Sequence, residues 1–301
     1  MTTQERDQWH RWLLDLRHGG DPDYAAQVRQ ELLPVRDEVL DRAALRPGDT
    51  LLDVGTGDGL IAFGALDRLG PAGRVIFSDV SADLLDHCRA VAATAGQLDR
   101  CAFVRAGADR LAGVDDASVD VVTTRSVLIY VADKATALAE FRRVLRPGGR
   151  ISLFEPINVL MNDCGPALFF GYDVGPVADL AAKVDARFAD IQPADTDPML
   201  DFDDRDLVRL AEQAGFEEVN LDLRVTVTSW RSPAPWDRFL RSSPNPKVPP
   251  VGDVLAQALS SAELAAFTAC LRPLVEAGHG ETRRAVAYLT ARDRAVAGGG
   301  S

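Results

Sequence analysis

The sequence predicts an α/β protein organised around a mostly parallel β-sheet. Three observations carry that expectation. From Thr50 onward, short apolar runs alternate with amphipathic stretches of helix length. A glycine-rich turn holding Gly55, Gly57 and Gly59 joins the first run to the first helix of that series. An acidic residue, Asp79, closes the second run about 20 residues further on, a spacing shared by nucleotide-binding sheets.

Ahead of the alternation, residues 5–17 set Trp9, Trp12, Leu13 and Leu16 at helical spacing, which predicts a short amphipathic helix. Gly19, Gly20 and Pro22 break that pattern. A second helical stretch carries Tyr24, Val28, Leu32, Val35 and Val39, with Pro34 marking a kink or a boundary. Strands are predicted over 51–54, 75–78, 101–104, 119–123 and 151–154. The helix after the glycine turn presents Leu60, Phe63, Leu66 and Leu69 and stops at Gly70-Pro71. Ser81 caps the next, whose inner face is Leu84, Leu85, Cys88 and Val91. Asp133 precedes a third, with Leu138, Phe141 and Leu145 inward, before LRPGGR turns the chain into a strand.

Past Phe154 the alternation stops. Residues 156–202 are rich in Gly, Pro, Asp and aromatic side chains and read as a cap without sheet. A helix over 207–214 follows, then a long alternating strand with Val219, Leu221, Leu223, Val225 and Val227 inward. A proline-rich insertion comes next. Ser260 and Glu263 form a capping box on a helix bearing Leu264, Phe267, Leu271 and Leu274, and 283–291 makes the last strand. The closing GGGS reads as a disordered tail. The domain reading is an N-terminal helical lid over 1–45, a nucleotide-binding core over 46–156, and a region over 157–301 holding the substrate cap, the last two strands and the insertion between them.

Composition narrows the function classes. The 301 residues are 47% hydrophobic, enough for a substantial core. With 33 basic against 45 acidic side chains the net charge is −12, which disfavours a grip on nucleic acid. Cys88, Cys101, Cys164 and Cys270 are scattered without a CxxC pair and read as reduced thiols. No metal is implied, because His and carboxylate groups show no ligand spacing. The polar start and the absence of a long apolar run predict a soluble, cytoplasmic protein with neither signal peptide nor membrane span.

A glycine turn between strand and helix lets a ligand approach the backbone and meet free N–H groups. Asp79 is placed to accept hydrogen bonds from both ribose hydroxyls. These two features fit several adenosine cofactors. The choice among them comes from five blocks in order: LLDVGTGDGL, VIFSDVSADLL, FVRAGADRL, VDVVTTRSVLIYVADK and FRRVLRPGGRISLFEP. Together they resemble the class I S-adenosylmethionine-dependent methyltransferase superfamily, in particular its ubiquinone/menaquinone C-methyltransferase-like group, over residues 46–156.

The resemblance implies a Rossmann-like seven-stranded sheet, mostly parallel with the last strand antiparallel, and helices on both faces. It implies S-adenosyl-L-methionine as cofactor, with S-adenosyl-L-homocysteine as product. The implied contacts are Asp53 to the cofactor's amino group, Gly55, Thr56 and Gly57 to its methionine part, and Asp79 with Val80 at the ribose. Ala108 and Asp109 fall at the adenine, and Arg125 and Ser126 at the methionine part. One departure stands out: Gly107 occupies the position where many relatives carry the acidic or amide residue that reaches the adenine amino group. Asp109 substitutes if the loop shifts by one residue.

The implied activity is methyl transfer by in-line displacement to an O, N or C nucleophile of a small molecule or peptide-derived metabolite, as in secondary metabolism. Competing readings are a protein of this fold that binds the cofactor without methylating, and a nicotinamide-dependent oxidoreductase, which Leu60 counts against. No catalytic residue is assigned. His18, Tyr24 and Tyr130 are candidates, while His10, His87 and His279 read as solvent-facing. Glu155 is either a substrate contact or a strand-end carboxylate bonding to a loop. Trp9 and Trp12 read as docking anchors, and the acidic cluster over 195–206 as a solvated loop before a helix. The expected partner is a small-molecule or peptide substrate, with neither nucleic acid nor membrane; a homodimer is compatible with the sequence.

Overall fold

The computed structural model describes residues 6–161 and 168–294. Cys164 and the GGGS tail lie outside the described residues. The chain begins with a single turn, α1 (Gln8–His10), capped by the Asp7 side chain, which accepts from the Trp9 and His10 amides. It continues as a π-helical stretch, Arg11–Leu16, closed by a 2.7 Å bond from the Arg17 N–H to the Trp12 carbonyl. The single helix predicted over 5–17 is thus two pieces of different winding. The wider turn accompanies burial of Trp12, whose indole N–H donates to the Ser243 carbonyl at 3.1 Å.

The predicted second helix is also two, α2 (Pro22–Glu31) and α3 (Leu33–Arg42). Pro34 sits in the first turn of α3, where its missing N–H breaks no bond. The alternating region then runs β1 (Thr50–Val54), α4 (Leu60–Arg68), β2 (Arg74–Asp79), α5 (Ala82–Thr94), β3 (Cys101–Arg105), β4 (Val119–Arg125), α6 (Lys134–Val144) and β5 (Leu145–Pro156). Strand β5 starts six residues earlier than the apolar pattern indicates, because LRPGGR is already extended and Leu145 pairs with Val119 ahead of a register shift.

Residues 168–173 form a minimal hairpin, β6 (Leu168–Phe169) and β7 (Tyr172–Asp173), followed by α7 (Ala178–Ile191). The cap predicted over 156–202 therefore holds both strand and helix. Leu180 and Val184, four residues apart, bury one face of α7. Then come α8 (Asp204–Gln213), β8 (Glu217–Arg231), α9 (Trp236–Arg241), α10 (Val251–Ala258), α11 (Ser261–Ala277) and β9 (His279–Arg292). The predicted capping box of Ser260 with Glu263 is present on α11, and a second, Asp203 with Asp206, starts α8. The acidic cluster before α8 thus supplies that helix's start.

The sheet order is β3-β2-β1-β4-β5-β9-β8. Strands β1 to β5 are parallel, and β9 runs antiparallel to β5, with Leu153 opposite Leu289. This is the seven-stranded arrangement that the sequence predicts.

The chain divides into two compact units. One comprises Gln30–Ile157, Phe202–Arg224 and the chain from Val286. Its core joins Leu51, Ile61, Leu66, Phe77, Leu85 and Val121, with the Phe77 ring 5.0 Å from both Phe63 and Phe103. Enclosing a phenylalanine fully contributes roughly 2–3 kcal/mol from apolar burial. The other unit comprises the chain to Arg29, Asn158–Asp201 and Val225–Ala285. Its own core gathers Phe169, Val184, Trp236, Leu255, Phe267 and Leu271.

Strand β8 corrects one expectation. Leu223, Val225 and Val227 are 37%, 54% and 55% exposed, so this part of the face read as inward is open, while Val219 and Leu221 are half-buried. The strand lies at the sheet edge, and the opposite side chains do the anchoring: Asp222 pairs with Arg42, and Arg224 with Glu38, both on α3. Among the described residues no helix is long and apolar enough to cross a membrane.

Candidate functional site

The residues singled out for a ligand collect at the carboxyl ends of β1, β2, β3 and β4. Parallel pairing brings those ends level: Val54 lies beside both Ser78 and Thr124, and Asp79 beside Arg105. In an open α/β sheet this is where a crevice forms, and it coincides here with the point where strand order reverses between β1 and β4.

The turn after β1 is built from three left-handed residues, Gly55, Gly57 and Gly59, with φ of +62°, +57° and +79°. Only glycine adopts such a series at low cost. Gly55 is also held by a neighbour: a Cβ there would stand 2.4 Å from Cγ2 of Val127. The Thr56 N–H donates to the Ser78 carbonyl at 2.9 Å, which ties the turn to the end of β2.

Asp53 and Asp79 sit on either side of this turn. Asp53 is 2% exposed and accepts from the Thr123 hydroxyl at 2.9 Å and the Thr56 hydroxyl at 2.8 Å. Burial pushes its carboxyl up to about 6, against the pull of those hydroxyls and of the Arg125 charge. Among the described residues no cation forms a salt bridge with it. Asp79 is buried as well, and it accepts from the Gly57 N–H and the Ser81 N–H, both at 2.9 Å. These two bonds orient the carboxylate at the end of β2.

Beyond Asp79 the chain turns outward. Val80 is 43% exposed, and Ser81 caps α5 by accepting from the Leu84 N–H at 3.0 Å. The loop after β3 returns to the same place, with the Ala106 N–H on the Asp79 carbonyl at 3.0 Å. Ala108 is buried and Asp109 exposed. A Cβ built on Gly107 would meet Oδ1 of Asp109 at 2.8 Å and Cγ1 of Val80 at 3.9 Å. The Asp109 carboxylate thus folds back over position 107. The glycine that departs from the pattern leaves the space that this carboxylate uses.

At the end of β4, Arg125 is half-buried, and Ser126 takes a left-handed φ of +57° with its N–H on the Phe154 carbonyl at 2.8 Å. Glu155 is 1% exposed and bonds to this loop, as a strand-end carboxylate does. Thr123 and Val127 belong to the site and were not singled out from the sequence. The signal for Thr123 is the run of polar residues, Thr123 to Ser126, that follows the apolar pair Val121-Val122 at the end of β4.

The remaining candidates are placed as follows. His18 and Tyr24 lie in the second unit, their rings edge to face at 5.7 Å, and Arg238 stacks over Tyr24 at 3.9 Å while pairing with Asp21. Tyr130, itself half-buried, ends a short turn in the first unit whose Leu128 and Ile129 are buried. His10, expected at the surface, is buried, and its Nδ1 has no hydrogen-bond partner among the described residues. His87 is half-buried and His279 exposed. Among the described residues no cluster of three or more His, Cys, Asp or Glu side chains is arranged to hold a metal ion.

The profile of the ubiE/COQ5 methyltransferase family matches residues 33–227, which includes every strand end described above. The ubiquinone/menaquinone biosynthesis C-methyltransferase UbiE of Hahella chejuensis is 38% identical over 128 residues, 41% of this chain and 50% of that protein. The nocamycin O-methyltransferase of Saccharothrix syringae is 36% identical over 124 residues, 41% of this chain and 44% of that protein. The chain thus matches about half the length, or less, of these curated relatives. A candidate methyltransferase from Bacillus halodurans C-125 superposes with a TM-score of 0.52 at 17% identity, over 86% of this chain and 98% of that one, and so shares the fold. Nearly two thirds of the sequence lies within the family profile, and the chain belongs to the ubiE/COQ5 methyltransferase family.

Proposed function

We propose that this protein transfers a methyl group from S-adenosyl-L-methionine to an O, N or C nucleophile of a small molecule or peptide-derived metabolite. The observation that carries the reading is Asp53. A buried carboxylate held by two hydroxyls, with no salt bridge among the described residues, fits a ligand that brings its own ammonium group. S-adenosylmethionine has that group, together with a ribose and an adenine.

Each neighbouring residue then has a task. The backbone of Gly55, Thr56 and Gly57 lines the methionine part, closely because the turn has no side chain at two of its three positions. Asp79, already oriented by two amides, accepts from the ribose hydroxyls. Val80 offers its exposed face to the adenine, the Ala108 N–H lies at its edge, and the Asp109 carboxylate accepts from its amino group. Arg125 and Ser126 close the methionine side.

When bound, the cofactor supplies a sulfonium methyl carbon open to in-line attack. The chain's contribution is to hold the acceptor on that line and to keep water away. A base is needed only where the acceptor arrives protonated. Relatives whose names specify carbon and oxygen methylation support a small acceptor without choosing the atom. Cysteines scattered along the chain without a CxxC pair support work in the cytosol.

Calorimetric titration of the purified protein with S-adenosylmethionine, S-adenosylhomocysteine and NAD tests the reading. Binding of both sulfur cofactors is expected. Binding of NAD alone would refute it. Incubation with methyl-labelled donor and a metabolite extract then separates transfer from binding without transfer.

A further inference from the structure

Glu155 is the one carboxylate at these strand ends that the proposed chemistry leaves without a task. It is also among the most enclosed, at 1% exposure. Three donors converge on it from a single short segment. The Thr124 hydroxyl and the Val127 N–H reach Oε1 at 3.0 and 3.1 Å, and the Ile129 N–H reaches Oε2 at 3.3 Å. No cation neutralises it among the described residues. A carboxylate in such a place is a costly staple, since an apolar side chain of similar volume is often as stable.

The segment it holds is strained and consequential. Ser126 occupies the left-handed region at +57°, which costs a non-glycine residue about 1 kcal/mol and persists only where its surroundings enforce it. The next residue, Val127, presses its Cγ2 into the space beside Gly55, where a Cβ would stand 2.4 Å away. One chain of contacts therefore runs from the carboxylate through the Val127 backbone to the Val127 side chain and on to the first residue of the glycine turn. We infer that Glu155 is a positioning residue for the cofactor turn, fixing Val127 against Gly55 so that the backbone over 55–57 is held in its binding shape. This inference rests on the reading that the turn holds S-adenosylmethionine.

Glu155→Gln keeps the shape but turns an amide donor toward at least one of the three N–H or O–H donors. Val127→Ala leaves the staple intact and removes the part that touches the turn. Titration with S-adenosylhomocysteine should show each variant binding roughly 10-fold to 50-fold more weakly than the parent. Because both act through one path, the double variant should lose far less than the product of the two single losses. Urea unfolding of the same samples supplies the folded fraction. A Glu155→Gln protein that is less stable yet binds within about twofold of the parent would overturn the inference, leaving Glu155 a staple alone. Should that variant fail to fold, a Val127→Ala protein binding like the parent would overturn it equally. Failure of the parent to bind either sulfur cofactor would instead refute the cofactor reading, and with it the site this residue serves.

Discussion

Replacing Asp53 by Asn should stabilise the protein at neutral pH while weakening its hold on the cofactor. The carboxyl has an ordinary value of 3.8 and is pushed up to about 6 in the fold, chiefly by burial. The native state therefore holds this proton to higher pH than the unfolded chain does. Between those two values the folded form binds more protons, so the group's contribution to stability falls as pH rises through the window and is fully lost above about pH 6. At about 1.4 kcal/mol per pKa unit, the gap corresponds to about 3 kcal/mol. Asn has the same shape and does not titrate, and the hydroxyls of Thr56 and Thr123 can rotate to serve an amide. Urea unfolding of both proteins from about pH 4 to about pH 8 isolates the effect, because every other titrating group is common to the pair. The stability of the variant relative to the parent should rise by about 2–3 kcal/mol across that range, while its affinity for S-adenosylmethionine falls at least roughly tenfold. In the parent, cofactor affinity should drop as pH falls below about 6, since a protonated Asp53 no longer attracts an ammonium group. Stability profiles that run parallel within about 0.5 kcal/mol would refute the reasoning.

Asp79→Ala should weaken S-adenosylhomocysteine binding by roughly 1.5–3 kcal/mol, the scale of a lost hydrogen-bonded charge, as read by calorimetry. Gly55→Ala should destabilise the fold by about 2–4 kcal/mol in urea titrations, from a left-handed φ of +62° and a 2.4 Å approach to Val127. A second change, Val127→Ala, should recover the steric part of that loss. Arg150→Ala should cost about 3–5 kcal/mol, measured the same way. Its buried guanidinium donates to the carbonyls of Ala43 and Ala44 and to Asp49, all of which would be left without it.

The parallel half of the sheet was legible because its inner strands β1, β2, β4 and β5 are largely buried and read as compact apolar runs, with turn residues at their ends. Asp79 and the three glycines were legible for a related reason: their chemistry depends on local conformation and on neighbours close in sequence. What escaped depends on contacts distant along the chain. Leu223, Val225 and Val227 alternate as buried residues do, yet no pattern internal to β8 states that its strand lies at an edge. The π winding over Arg11–Leu16 accompanies the burial of Trp12 against Ser243, over 200 residues away and invisible to local spacing. Helix α7 carries Leu180, Val184, Phe188 and Ile191 at helical spacing, a signal masked by the Gly, Pro and Asp around it. The Asp109 carboxylate over Gly107 needed loop geometry, since spacing alone places the acidic group two residues too late.

The interior place of β9 has a consequence for the order of synthesis. In chain order β9 follows every other strand of the sheet, yet it lies between β5 and β8. During translation, the outer edge of β5 stays open until β9 emerges, and the 15 residues of β8 have no strand to join. That interval leaves the β5 edge and the whole of β8 unpaired, beside Leu223, Val225 and Val227, which stay open even in the finished fold, and this combination invites pairing with the wrong neighbour. A nascent chain stalled before His279 thus lacks two paired strands of the sheet and not one.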